Sequence, residues 1–364
     1  MELLRNYVCY VPTLRFNEFT TNWQSTTLKN VCEYRKIRRT TEKKNYVSTE
    51  NIMQNFQGVE RFISAEYISG DGFNKNDILM GNIRPYLKKV CFADFDGVCN
   101  ADVLVFNSKT INPKFLYYVL ANDNFINYVM SSVKGSKMPR GDKNFIMQYP
   151  LSLPSETEQL KISDFIGCLT KRIQVQNKII SKYETLIKGL CDKIFRHDKS
   201  VCLFDLVKCK TSTLQENEVA TYYNGKYKVF GASGIIATIN KYQFEEDGIL
   251  VLKDGSKAGK IQYAEGKYSV VGTSVVLIPN NADDARYLYF AMLSIDFDKY
   301  KVGSGIPHIY FKDYSCERIY YPNSALRIRI AKVLDAYEQK VEIEKEMLSA
   351  LQKQKAFLLQ SMFI

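Results

Sequence analysis

A stretch of this chain occurs twice. Residues 134–195 lie on residues 302–363 at an offset of 168 with no gap. Gly135, Ser136 and Pro139 fall on Gly303, Ser304 and Pro307, Pro154 on Pro322, Ile162 on Ile330, Leu190 on Leu358, and Phe195 on Phe363. Identity is sparse, but the apolar positions agree throughout. Such a repeat restricts the chain to two similar halves, each a globular part followed by a long helical segment. Internal two-fold symmetry suits a partner that is itself two-fold, and duplex DNA is the commonest such partner.

The first long helix is expected to begin after Pro154. Ser155, Glu156, Thr157 and Glu158 form a capping box, in which Ser155 caps free amides and Glu158 reaches back. Apolar residues then recur at spacings of three and four: Ile162, Phe165, Leu169, Ile173, Ile180, Tyr183, Ile187, Leu190 and Ile194, with Gln176 in one seam position. No proline interrupts residues 155–200. About 40 residues at ~1.5 Å each give a rod of roughly 60 Å, ended by the segment from His197 to Ser200. The register returns at Ile330, Val333, Tyr337, Val341, Leu348, Leu351, Leu358 and Met362, with Asn323 at the cap position of Ser155. Glu344 and Lys355 interrupt the second seam opposite Gln176 and Ile187 of the first. Each helix takes two four-residue steps early, 165-169-173 and 333-337-341, a stutter that relaxes a supercoil. The stripes are too narrow for fully buried helices and right for pairing with another helix. Antiparallel pairing of the two would use Phe165, Leu169, Ile173, Ile180, Ile187 and Leu190 on one side, and Val333, Tyr337, Val341, Leu348, Leu351 and Leu358 on the other.

The globular parts read as mixed, strand-rich structure. Apolar runs at 77–80, 101–106, 248–252 and 274–278 predict strands, and turn pairs such as Asn224-Gly225, Asp254-Gly255 and Glu265-Gly266 punctuate the second part. Short helices are expected at Pro113–Asn122 and Ala285–Ser294, each after a strand. The offset there is 172, so the repeat extends upstream with small insertions. The fold class is therefore α+β: two mixed domains related by a pseudo-two-fold axis and separated by two long antiparallel helices. The expected bounds are 1–154, 155–199, 200–322 and 323–364.

A formal charge of +11 favours a polyanionic partner. Residues 1–155 hold 20 Lys/Arg against 14 Asp/Glu, whereas residues 200–322 balance at 14 and 14. The 9 cysteines form no C-x-x-C pair and only His197 and His308 accompany them, so neither a zinc site nor a disulfide framework is expected. No apolar run approaches the roughly 18 residues of a membrane span, and Met1–Pro12 lacks the marks of a signal peptide. Together these point to the cytosol.

Catalytic motifs fail on spacing. Gly255–Lys260 is G-x-x-x-G-K followed by Ile261, one residue short of a Walker A loop and without its Ser or Thr. No G-x-G-x-x-G follows a strand. Asn112-Pro113-Lys114-Phe115 reads as a helix N-terminus with Pro at its first position, not as a methyltransferase loop. Asp94, Asp96 and Asp102 lie near strands without the separated acid-x-lysine element of a metal-dependent nuclease. No cofactor is expected.

The ordered set of segments resembles the specificity subunit of type I restriction–modification systems. The opening from Val11 to Phe16, with Phe19 and Trp23, is similar to that family's P-x-L-R-F start. The run Tyr227–Ile235, which contains Ser233, is similar to its glycine-rich opening of a recognition domain, continued at Gly248–Val251 and Gly255–Lys260. Each Gly-Ser element, then a proline, then a long helix matches as well, and so does the tail Phe357–Ile364. The resemblance covers nearly the whole chain. It implies two target recognition domains that each read half of a split, asymmetric DNA site, and two helices that set the spacing. It also implies methyltransferase subunits, two in number, docked on those helices, a separate translocating nuclease subunit, and no catalysis by this chain.

DNA contacts are expected in basic loops, where glycine lets backbone approach phosphate and Lys, Arg, Ser and His supply position or read base edges. In the first part these are Arg84, Lys88, Lys89, Lys134, Ser136, Lys137, Arg140 and Lys143; in the second, Ser233, Lys253, Ser256, Lys257, Lys260, Lys301, Ser304 and His308. The run Arg35–Arg39 is a further candidate. Two competing readings are a stand-alone nuclease or methyltransferase, and a helical scaffold without a nucleic-acid role.

Overall fold

A computed structural model describes residues 12–133, 138–196, 199–219, 224–303 and 305–363. It divides into two compact units, Met1–Val175 with Leu348–Ile364, and Gln176–Met347.

The first unit is built around a fully buried strand, Ile78–Gly81, whose residues are all apolar or glycine and face core on both sides. It pairs antiparallel with Val103–Ser108 and Val90–Phe92, and Cys32–Tyr34 completes the sheet beyond Val103–Ser108. The helix Pro113–Leu120 follows at once. Asn112 accepts hydrogen bonds from the amides of Lys114 and Phe115, and Pro113 fills the first turn. All its residues from Phe115 to Leu120 are buried against the sheet. A second sheet orders Arg38–Glu42, Tyr67–Phe73, Gly97–Cys99 and Tyr46–Val47. A ribbon of Gln24–Thr27 and Pro150–Leu153 leads into the first long helix.

The second unit repeats this order. Gly248–Leu252, again wholly buried, pairs with Ser274–Pro279 and Ile261–Ala264, and Val207–Thr211 closes the edge. The helix Ala285–Met292 takes the place of Pro113–Leu120. The ribbon is Lys199–Cys202 with Arg318–Tyr320. The second sheet differs: a hairpin of Tyr227–Gly231 and Gly234–Ile239 runs beside Tyr268–Val270.

The long helices span Glu156–Phe195 and Ser324–Ser361. Both expected caps are present: Ser155 Oγ accepts from the Glu158 amide at 3.3 Å, and Asn323 Oδ1 from the Leu326 amide at 3.0 Å. The return half of the capping box is not made. Glu158, fully buried, takes a bidentate ion pair from Arg15 at 2.7 and 2.8 Å and a hydrogen bond from the Trp23 indole. A charged, desolvated partner outweighs a local amide.

One position further on, both helices bind the same two places. Gln159 accepts from the Asn112 amide at 3.0 Å and donates to the Pro154 carbonyl at 3.1 Å. Its repeat equivalent Arg327 pairs with buried Asp284 at 2.7 and 3.1 Å and donates to the Pro322 carbonyl. Each long helix is thus locked to the cap of the short helix in its own unit.

Helix pairing is visible within each unit. In the second, Gln176 donates to the Glu344 carbonyl at 3.1 Å and to its carboxylate, Tyr183 meets Tyr337 at 6.4 Å between ring centroids, and Glu184 pairs with Lys345. From Gln176 with Glu344 to Tyr183 with Tyr337, rising number on one helix meets falling number on the other, so the pair is antiparallel, and the long side chains of Glu184 and Lys345 reach back along it. Gln176 and Glu344 are each other's equivalents in the repeat. In the first unit, Ile162 and Ile166 share a core with Leu358, Leu359, Met362 and Phe363.

The expected seam needs one correction. Ile180, Val341, Leu351 and Leu358 are buried, and Leu169, Ile173, Ile187, Leu190, Tyr337 and Leu348 are partly buried. Phe165 and Val333, however, are 45% and 49% exposed, while the next residues, Ile166 and Leu334, are fully covered. These two are equivalents, so the shift has one cause. Near its start each long helix serves the globular core as well as its partner helix, and the stutter turns the apolar stripe by about one residue's 100° there. Phe165 packs edge-on against Phe16 instead.

Candidate nucleic-acid interface

In the first unit the loop after Ile78–Gly81 meets the loop before residue 143. Ile83 bridges Arg140, and the Arg84 amide donates to the Pro139 carbonyl at 2.8 Å. This draws Arg84, Lys88, Lys89 and Arg140 to one edge, with Lys143 three residues on at the start of a short helical turn. In the second unit Asp254 bridges His308 and the Gly255 amide donates to the Pro307 carbonyl at 3.0 Å. Val302 also bridges His308, so Lys253, Ser256, Lys257, Lys301 and His308 gather on the equivalent edge. Ser233 is exposed at the tip of its hairpin, which is tied to the strand Ile261–Ala264 by Gln262 donating to the Gly231 carbonyl at 2.8 Å. That strand follows Lys260. Lys134, Ser136, Lys137, His197 and Ser304 lie outside the described residues.

Carboxylates hold several of these side chains, and the sequence reading missed them. Arg140 pairs with Asp102 at 2.8 Å, Lys88 with Asp123 at 2.8 Å, Lys301 with Asp298 at 2.5 Å, and His308 Nδ1 with Asp254 at 2.8 Å. Lys89 donates to the Thr49 carbonyl. Arg140 and His308 are repeat equivalents, each with an acidic partner. An orienting carboxylate restricts a long side chain and favours directed contact over loose charge. Arg35, from the other basic run, is bound to Asp77 at 2.6 Å and to Asn107, so it is structural. An open cleft of about 430 Å³ beside the second loop is lined by Lys257, Lys260 and Lys301 but also by Asp296 and Asp298, and so has mixed charge. Met138 and Ile306, equivalents beside the two prolines, are 58% and 64% exposed, a second apolar pair that composition could not show.

Burial raises the Cys32, Cys99 and Cys191 thiols to about 12, which leaves them protonated and inert. Lys355 is lowered to about 8 by desolvation, but it sits among helix residues far along the chain from either loop. No group of three or more His, Cys, Asp or Glu suited to a metal occurs among the described residues. No described helix is long and apolar enough to cross a membrane.

Two copies of the type I restriction modification DNA specificity domain match the chain, over residues 20–185 and 199–353. The chain belongs to this family. A specificity subunit of the type I restriction enzyme EcoDI from Escherichia coli is 29% identical over 128 residues, which is 34% of this chain and 29% of that protein. The MjaVIII specificity subunit from Methanocaldococcus jannaschii is 26% identical over 231 residues, 61% of this chain and 45% of that one. The matches therefore span less than half the length of these relatives. The type I restriction–modification S subunit from M. genitalium shares the fold along 98% of this chain and 99% of its own, with a TM-score of 0.66 and 18% identity. A second structure, from work on assembly and conformational transition of a type I system, covers 94% of this chain and 97% of its own at a TM-score of 0.54 and 16% identity. The two matched domains each contain one of the basic loop edges described above, and each includes most of one long helix.

Proposed function

We propose that the chain is a non-catalytic DNA-recognition subunit of a type I restriction–modification complex. In this reading residues 1–154 and 200–322 are the two readers of a bipartite, asymmetric site. Residues 155–199 and 323–364 set the spacing between half-sites. A rod of roughly 60 Å is close to two turns of B-DNA at ~34 Å per turn. The observation that carries the reading is the pair of specificity domains, each with basic side chains gathered on the same backbone frame.

Methyltransferase subunits, two in number, are the proposed partners of the helices, and the translocating nuclease joins through the complex. Supporting this, Leu160 and Ile328 are solvent-facing equivalents, and so are Val175 and Ile343. An apolar side chain repeated on the exposed face of both helices suits two copies of one partner. The reading is tested by selecting duplexes from a randomised pool with the complex of this chain and its methyltransferase partners. Two short sequences separated by a fixed, unread spacer are expected, with affinity falling steeply with salt. A single continuous site refutes it. Cleavage or methylation by the chain alone, given magnesium or a methyl donor, contradicts the non-catalytic assignment.

A further inference from the structure

Four of the five non-glycine residues with positive φ among the described residues lie in one corner of the first unit: Asn55, Phe56, Arg84 and Lys88. Arg84 at φ 51° and Lys88 at φ 54° bracket the single 3-10 turn Pro85–Leu87. In the second unit the equivalent positions are Gly255 and Gly259, at φ 95° and 90°. Equivalence rests on shared hydrogen bonds. The Gly81 amide donates to Lys89 O as Leu252 does to Lys260 O, and Asn82 to Asp102 O as Lys253 does to Thr273 O. Arg84 donates to Pro139 O as Gly255 does to Pro307 O, and Leu87 to Arg84 O as Ala258 does to Gly255 O. The frame therefore asks for left-handed backbone at both places, and glycine is the residue that meets that demand without strain. The first unit places basic residues there. Arg84 also precedes Pro85, which disfavours helical backbone at the residue before it.

Strain of this kind persists only where the surroundings over-determine it. Here they do. The amides of Asn55 and Phe56, themselves left-handed, donate to Leu87 O and Lys88 O at 3.2 and 3.0 Å. Pro85 is buried, Lys88 is held by Asp123, and Lys89 by Thr49 O. Of the basic residues in this turn, Arg84 is the exposed one, and it has no ion pair among the described residues. A phosphate contact does not need this, because a flexible lysine on relaxed backbone supplies it. The fixed backbone sets where the Arg84 side chain leaves the turn, and its planar fork, free of a competing partner among the described residues, matches the two acceptors of a base edge.

We propose that Arg84 is a specificity-determining residue of the first unit, held by its strained turn so that the guanidinium meets a base edge, most simply guanine, in one half-site. This rests on the recognition function proposed above. The test uses the full chain in complex with methyltransferase subunits, and duplexes selected by the wild-type complex, varied one base pair at a time. R84G and R84K are compared with wild type for discrimination at each position and for thermal unfolding of the chain. Both variants are expected to lose about tenfold or more of the discrimination at one position of one half-site, while R84G melts at the same temperature or higher. Three results overturn the assignment: R84G discriminates like wild type, R84K does so (a phosphate contact), or R84G melts lower (an arginine that builds the turn). A wild-type complex with no base-pair preference anywhere refutes the recognition function itself, and the assignment falls with it.

Discussion

The two units solve one folding problem with different residues. Where the first locks its long helix to a short-helix cap through the neutral pair Gln159 and Asn112, the second uses the buried ion pair of Arg327 and Asp284. The first presents Arg140 beside Asp102 and the second His308 beside Asp254. Left-handed turn positions hold Arg84 and Lys88 in one and glycines in the other. The comparison teaches that the frame specifies roles, namely a cap, a lock, a left-handed pivot and an acid-held side chain, and leaves their chemistry open. Shared roles give both units the same central sheet and following short helix, while their second sheets differ. On the proposed function, divergent chemistry would suit them to different half-sites.

The lock is where the difference is expected to be largest. Asp284→Ala leaves the Arg327 guanidinium buried without its partner and should destabilise the second unit by about 3–5 kcal/mol in denaturant unfolding. Gln159→Ala removes only neutral hydrogen bonds, so the first unit should lose about 1–3 kcal/mol. Combining Asp284→Asn with Arg327→Gln imitates the first unit and should recover stability relative to Asp284→Ala. Equal losses at the two locks would show that charge there is incidental.

The corrected helix register gives the next contrast. Ile166→Ala and Leu334→Ala should each cost about 2–5 kcal/mol, and Phe165→Ala and Val333→Ala about 1 kcal/mol or less, since half-exposed side chains leave no large cavity. Reversal of that order would restore the regular seam.

Lys355 stands where the first helix has Ile187, partly buried and without an ion pair among the described residues. Its folded pKa of about 8 lies below the ordinary 10.5. The folded state therefore binds fewer protons, the penalty is fully present below pH 8, and it fades as pH rises toward 10.5. Lys355→Met should raise stability by about 1–2 kcal/mol at pH 7, with the gain shrinking over that window in thermal melts. A gain independent of pH would assign it to packing alone.

The smallest effect concerns charge. Residues 1–155 carry the larger basic excess, so Arg140→Gln together with Lys143→Gln should reduce the slope of log affinity against log salt by about 2. Lys257→Gln in the balanced second unit should reduce it by about 1 or less. A steeper dependence on the second unit would invert the proposed division.

Local patterns made much of this legible. The apolar spacing gave away both long helices, Ser155 and Asn323 marked their starts, and buried runs marked the central strands and the helices at 113 and 285. The basic loops were visible as clusters of Lys and Arg around glycine and proline. What stayed hidden depends on distant residues. Glu158 abandons a local amide for Arg15, which is far away in sequence. Arg84 and Lys88 bear no glycine to announce a left-handed turn. The acidic partners Asp102, Asp123 and Asp254 are ordinary surface carboxylates until the fold brings them to a cation. Phe165 and Val333 fit the seam by spacing and leave it because the helix start serves two surfaces.

The most direct measurement is the spacer preference of the complex formed by this chain and its proposed methyltransferase partners, read on duplexes whose two half-sites are separated by every length across one helical turn. A stiff pair of helices, with Gln176 and Glu344 fixing their register, predicts one accepted spacer with sharp loss on either side. Removing a heptad from residues 171–188 should move that optimum before folding is lost. Affinity indifferent to spacer length in the intact chain would contradict the account.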